Sequence, residues 1–119
     1  MNINELLDYE TRRINIEKNL LFTEDISYQE LITLNIIKEY ESDIFNMKDL
    51  KSEVLSYGLD YQTSITSLFK KGYFLKRRCE SDERKVEIYE VDYKRIAKKI
   101  KVLEMLANEY WKRYTKMLL

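Results

Sequence analysis

The chain has 119 residues, with 21 basic and 21 acidic side chains and no histidine, so its formal net charge is zero. That length supports one hydrophobic core, and a composition 45% hydrophobic and 35% charged describes a soluble helical protein with a heavily solvated surface. One cysteine and no histidine exclude an internal disulfide, a zinc site of the usual kind and Ser-His or Cys-His nucleophilic catalysis.

Carboxylate chemistry is not organised either. The acids are scattered along helical surfaces with no Gly-rich phosphate loop beside them, so the chain reads as a non-enzyme without metal or cofactor. No apolar run approaches the roughly 20 residues of a membrane helix, the acidic N-terminus is unlike a signal peptide, and a reducing cytoplasm is the expected location. Pro is absent and Gly occurs twice, so nothing reads as a linker and residues 1–119 are expected to form one domain.

From Met1 to about Leu20, Ile3, Leu6, Leu7 and Ile14 recur at helical spacing, with Leu21 continuing the stripe. Phe22 to Ile26 reads as a connector. Ser27-Tyr28-Gln29-Glu30 matches a capping box and opens a second helix to about Tyr40, whose Leu31, Leu34, Ile36 and Ile37 form a wide apolar stripe. After the polar turn Glu41-Ser42-Asp43, the segment Ile44-Phe45-Asn46 reads as a short strand. Asn46 then caps a third helix from Met47 to about Ser56, burying Met47, Leu50, Val54 and Leu55.

Gly58 permits a tight turn into a fourth helix from about Asp60 to Lys71, so residues 47–71 read as a helix-turn-helix. Gly72 stops that helix. From Tyr73 to Lys76 the pattern has period two, as it does again around Val86 and Ile88, with a charged turn between, so residues 73–89 form a hairpin wing. A last helix of about residues 92–118 carries Ile96, Ile100, Leu103, Leu106, Ala107, Tyr110, Tyr114 and Leu118 at steps of three and four. The fold class is thus mainly α with a small β-hairpin (α+β), a winged helix-turn-helix. Apolar stripes at both termini exceed what one short domain covers, which suggests a homodimer interface built from the first and last helices. The alternative is that both helices fold back on the chain's own core.

Zero net charge hides an uneven distribution. Residues 1–69 carry −7, residues 70–85 carry +4 and residues 86–119 carry +3. A local basic face matters more to a polyanion than the total charge. In a helix-turn-helix the second helix presents its exposed N-terminal face to the major groove. Tyr61, Ile65 and Leu68 face the core by spacing. That leaves Asp60, Gln62, Thr63, Thr66 and Ser67 nearer solvent, with Gln62, Thr63 and Thr66 for base edges, where Gln pairs with adenine and Thr meets thymine. Lys70, Lys71, Lys76, Arg77, Arg78, Arg84 and Lys85 are phosphate candidates, of which strand alternation admits only some. Arg78 and Arg84 flank the wing turn and lead the set, and Arg84 entering the minor groove suits AT-rich sites. Asp82 and Glu83 repel phosphate, so their expected role is to orient the wing by holding Arg84 or Arg78. The alternative is an ordinary solvated turn.

These features resemble a known family. Lys76-Arg77-Arg78 followed by Asp82-Glu83-Arg84 looks like the wing of the staphylococcal accessory regulator (SarA) branch of the MarR-like regulators. Ile26-Ser27-Tyr28-Gln29-Glu30-Leu31 resembles the opening of that family's second helix, and Asn46-Met47-Lys48-Asp49-Leu50 the start of its third. The likeness covers roughly residues 26–90. It implies a dimeric transcriptional regulator of virulence genes that binds double-stranded, AT-rich promoter DNA, with no membrane association and no defined small-molecule ligand. Some members carry a redox-sensing Cys in the first helix; none is present here, and Cys79 lies in the wing instead. Two other functions remain open on the same fold: a protein-interaction module using the acidic first half, or a plasmid or phage replication or partition factor.

Overall fold

The computed structural model describes the backbone of residues 1–118 and the side chains of residues 1–60, 62–110 and 112. The expected core or interface positions Tyr61, Tyr114 and Leu118 fall outside the described side chains. The chain divides into two units, one of Tyr28–Lys98 and the other of Met1–Ser27 with the helix from Lys99 onward. Each is built differently.

The larger unit begins with α2 (Tyr28–Tyr40), which follows the first helix α1 (Ile3–Glu24). Leu31, Leu34, Ile36 and Ile37 are all buried, as the apolar stripe required. Each such side chain withdrawn from water contributes about 1.5–3 kcal/mol. Next come β1 (Ile44–Asn46), α3 (Met47–Ser56) and α4 (Tyr61–Lys70). Asn46 caps α3 by accepting a hydrogen bond from the Lys48 backbone N–H at 2.8 Å. Met47, Leu50 and Val54 are buried, while Leu55 is 55% exposed, contrary to expectation. Leu55 sits about 100° around the helix from Val54, on the flank rather than the inner face.

Both helix ends of the helix-turn-helix are closed by the same device. At Gly58 (φ +73°) and Gly72 (φ +83°) the chain turns left-handed. The N–H groups of Gly58 and Leu59 return to the carbonyls of Leu55 and Val54, and those of Gly72 and Tyr73 to Phe69 and Leu68. This is a Schellman closure in each case, which satisfies carbonyls left over at a helix end. The second closure drives Tyr73 and Phe74 into the core together. That corrects the period-two reading of the segment: both residues are plugs before the strand starts.

β2 (Leu75–Arg78) and β3 (Val86–Tyr89) form the wing, and β1 pairs on the outer side of β3, giving an antiparallel sheet in the order β1-β3-β2. Phe45 lies opposite Ile88, and Arg78 opposite Val86. α5 (Tyr93–Leu118) starts in this unit, where Ile96 is fully buried. Its first turn is tied to the turn before β1: the Tyr93 hydroxyl donates to the Ser42 carbonyl at 2.7 Å and accepts from the Ser42 N–H at 3.1 Å. Burial there raises the Tyr93 phenol above its ordinary range.

In the smaller unit, α1 runs one turn beyond the expected end at Leu20, absorbing most of the expected connector. No Gly or Pro interrupts it, and the Thr23 hydroxyl is satisfied by the Asn19 carbonyl at 2.8 Å. It stops only where Asp25 turns left-handed (φ 52°). Lys99 of α5 bonds the Glu24 carboxylate at 2.7 Å, and Arg12 donates to the Tyr110 carbonyl at 3.1 Å, so the two helices are joined within this unit. Ile16, Leu20, Ile26 and Ile100 are buried, whereas Ile3, Leu6, Leu7, Ile14 and Leu21 are exposed. The stripe on α5 is split: Ile96 and Ile100 are buried in the chain itself, while Leu103, Leu106, Ala107 and Tyr110 are half-buried. Among the described residues no helix is long and apolar enough to cross a membrane.

Candidate nucleic-acid interface

α4 is started by Asp60, whose carboxylate accepts from the N–H groups of Gln62 and Thr63 and from the Thr63 hydroxyl at 2.9 Å. These bonds hold the Asp60 carboxyl below its usual range, the Thr63 hydroxyl being the largest cause. Ile65 and Leu68 are buried as expected, and the small Ser64 beside them is buried too. Gln62, Thr63, Thr66 and Lys70 are exposed on the opposite side. The Thr63 hydroxyl donates its proton into the cap, so what it has left to offer a partner is its methyl group and the lone pairs of its oxygen.

The basic strand divides by face. Arg77 lies 4.4 Å over the Tyr89 ring and pairs with Glu87 at 3.3 Å, so its charge is met on the sheet itself. Lys76 and Arg78 project to the other face, which is shared with Val86 and Ile88. Lys76 lies 4.5 Å from the centre of the Phe69 ring. Lys71, another of the phosphate candidates, is engaged inside the fold. Its ammonium meets the buried Glu30 carboxylate at 2.8 Å, because the residue that closes α4 faces α2.

The wing turn has its own scaffold. Arg78 donates to the Glu83 carbonyl at 2.8 Å, bridging the two ends of the turn. Asp82 accepts from the Arg84 backbone N–H at 3.0 Å and from its Nε at 3.2 Å. Those two bonds from Arg84 lower the Asp82 carboxyl below its usual range. The Arg84 side chain is nevertheless 91% exposed, with its root fixed and its terminal nitrogens outward. Glu83 contributes its backbone carbonyl here.

Between the wing and α3 lies a concavity of about 470 Å³ bordered by Lys48, Lys51, Asp82, Arg84 and Lys85. A second, between α3, α4 and the strand, is bordered by Lys51, Gln62, Thr66 and Lys76, and a third by Lys51, Lys76 and Arg78. Met47 and Lys51 border all three, so the three concavities are neighbours around these two residues. Gln62, Thr66, Lys76, Arg78, Arg84 and Lys85 are thus brought together, while Thr63 and Lys70 lie outside the groove lining. Lys48 and Lys51 were not expected. They sit in the acid-rich first half, where block counting of charge conceals them. The signal was the i, i+4 spacing of Met47 and Lys51, which places Lys51 beside the residue at the junction of β1 and α3.

A cationic groove with polar, hydrogen-bonding side chains on one wall is suited to a polyanion with readable edges. Residues 15–102 match the family described as transcriptional regulator SarA/Rot. Among solved structures, a MarR transcriptional regulator from Methanosarcina mazei Go1 is 20% identical, with 92% of this chain and 76% of that one covered and a TM-score of 0.57. AbsC, a MarR family regulator from Streptomyces coelicolor, is 19% identical over 98% of this chain and 76% of its own, with a TM-score of 0.57. Overoxidized AbfR bound to DNA is 17% identical, covering 98% and 95%, with a TM-score of 0.60. No curated protein matches. The winged-helix fold of these regulators is therefore the fold of this protein, and the chain belongs to the SarA/Rot family of transcriptional regulators, which are not enzymes.

Proposed function

We propose that this protein regulates transcription as a homodimer that binds AT-rich double-stranded DNA, with α4 in the major groove and the wing at the minor groove. The observation that carries the reading is the pair of lysine- and arginine-bordered concavities that share Lys51, one holding Gln62 and Thr66 and the other Arg84 and Lys85. Gln62, Thr63 and Thr66 read bases; Lys70, Lys76, Arg78 and Lys85 meet phosphates, with Lys48 and Lys51 added to that set. Arg84 enters the narrowed minor groove of AT-rich DNA, where the negative potential is deepest. Asp82 and Glu83 orient the wing, one through Arg84 and the other through Arg78. The DNA-bound AbfR structures, which share the fold, support this arrangement.

The homodimer follows from the apolar side chains left outside. Ile3, Leu6, Leu7 and Tyr9 on α1 and Met105 on α5 are exposed in an isolated chain, where a cluster of large apolar side chains calls for a partner surface. A second copy of the chain is the simplest cover for these side chains.

The test is recognition itself. A duplex selected from a random pool should be AT-rich and bind more tightly than an unrelated duplex. Gln62→Ala should then cost about 1–3 kcal/mol on the selected duplex, the worth of a bidentate base contact. On the unrelated duplex it should cost far less, because phosphate contacts dominate there. Equal losses on both would remove α4 from the reading role.

A further inference from the structure

The most deeply buried carboxylate of the larger unit is not used by the groove, and it sits behind it. Glu30 is only 7% exposed, in the first turn of α2. Its Oε2 accepts from the Ser67 hydroxyl at 3.2 Å and from the Lys71 ammonium at 2.8 Å. Ser67 and Lys71 are one helical turn apart on α4, on the side that faces away from the groove. Two bonds to one oxygen from positions four apart fix both the rotation of α4 about its axis and its height along α2.

The same residues continue to the wing and to α5. The Lys71 carbonyl accepts from Arg95 Nη1 at 2.7 Å, and the Arg95 guanidinium lies 3.8 Å from the centre of the Tyr73 ring. Tyr73 is the residue that leads into β2, and its carbonyl accepts from the Asp92 N–H at 2.9 Å, just before α5 begins. The end of α4, the root of the wing and the first turn of α5 therefore meet at Lys71 to Tyr73.

We propose that Glu30, Ser67, Lys71 and Arg95 are positioning residues for sequence reading, setting the angle between the recognition helix and the wing. The inference rests on the reading that α4 contacts bases. A buried ion pair contributes little net stability compared with apolar side chains of the same volume, but its directional bonds admit one arrangement. Apolar packing alone would let α4 roll by some degrees without loss. A roll of that kind carries Gln62 and Thr66 off their base edges while Arg84 stays at the backbone. The pair consequently acts on discrimination between sequences and much less on affinity for DNA in general.

The experiment compares wild type with the double variant Glu30→Met/Lys71→Met, which removes both charges of the pair together. The readouts are melting temperature and the ratio of affinities for the selected and unrelated duplexes. The double variant should melt at or above the wild-type temperature, while the ratio falls about tenfold, the scale of one lost base contact. Its affinity for the unrelated duplex should hardly change. A ratio kept at the wild-type value overturns the proposal and leaves Glu30 a packing residue. Ser67→Ala removes one bond and no charge, and should lower the ratio less, at unchanged melting temperature. An unchanged ratio in Ser67→Ala overturns the proposal even where the double variant does not fold. A wild type that shows no preference between the duplexes overturns the base-reading role of α4 itself, which separates the two failures.

Discussion

Removal of the Arg84 side chain isolates the wing's contribution, because the structure divides its stability from its binding. The side chain is 91% exposed and touches the fold through one Asp82 oxygen, so Arg84→Ala should leave the melting temperature close to wild type. The backbone N–H of residue 84 still bonds Asp82, and Arg78 still bridges to the Glu83 carbonyl, so the turn keeps its shape. What is lost is a guanidinium held outward at the wing tip. A hydrogen bond to a charged group is worth about 1.5–3 kcal/mol, so affinity for DNA should fall about tenfold to a hundredfold for each wing that engages. If the guanidinium meets a phosphate, the slope of log K against log salt should become shallower by about 0.9 for each contact removed. If it lies in the minor groove, preference for AT-rich duplexes should fall more than the slope does. Fluorescence anisotropy across a salt series, with AT-rich and mixed duplexes, separates the two. Wild-type affinity and slope in a folded Arg84→Ala protein would refute the wing's role.

Three further outcomes follow from other parts of the chain. Gly72→Ala forces a side chain into the left-handed region at φ +83°, and should cost about 1–2 kcal/mol in chemical denaturation even though the new methyl has room; no loss would mean that the helix end re-forms differently. The Asp60 carboxyl is held below its ordinary value by bonds made only in the folded chain, so its contribution is complete above about pH 4 and is lost as pH falls through the lowered folded value. Asp60→Asn should therefore flatten the acid side of the stability profile, and an identical acid limb in both proteins would contradict the cap. Replacing Leu103 and Leu106 together by Asp puts two charges on the half-buried stripe of α5, and sedimentation should then show a monomer or an unfolded chain; an intact dimer would place the interface elsewhere.

The fold was legible wherever a local rule acted alone. Asn46 as a cap, Gly58 and Gly72 as left-handed closures, and the stripe of α2 each depend on residues within one turn, and each is where the pattern puts it. Where packing decides a residue's surroundings, local spacing says less. Tyr73 and Phe74 look like the start of an alternating strand until the closure on Leu68 turns both inward. Lys71 reads locally as one more cation in a basic run and Glu30 as the second half of a capping box, and neither reading includes the other residue. Their ion pair spans 41 positions and no local spacing announces it. Lys51 was missed because its charge is submerged among acidic neighbours in the sequence.

That contrast also explains how a chain of zero net charge presents a face to a polyanion. Its acids are not spread evenly against its bases; several are occupied as internal fixtures. Asp60 starts α4, Glu30 bonds Lys71 at its far end, Asp82 bonds Arg84 in the wing turn, and Glu87 meets Arg77 on the sheet. Each lowers the total charge without lowering the potential of the groove by as much, because its field is met at contact distance by an N–H or a cation behind or beside the face. The cations Lys51, Lys76 and Lys85 border the groove. Electrostatic attraction to phosphate falls off within about 10 Å at ordinary salt, so a polyanion at this surface responds to those nearby charges and not to the sum over the chain.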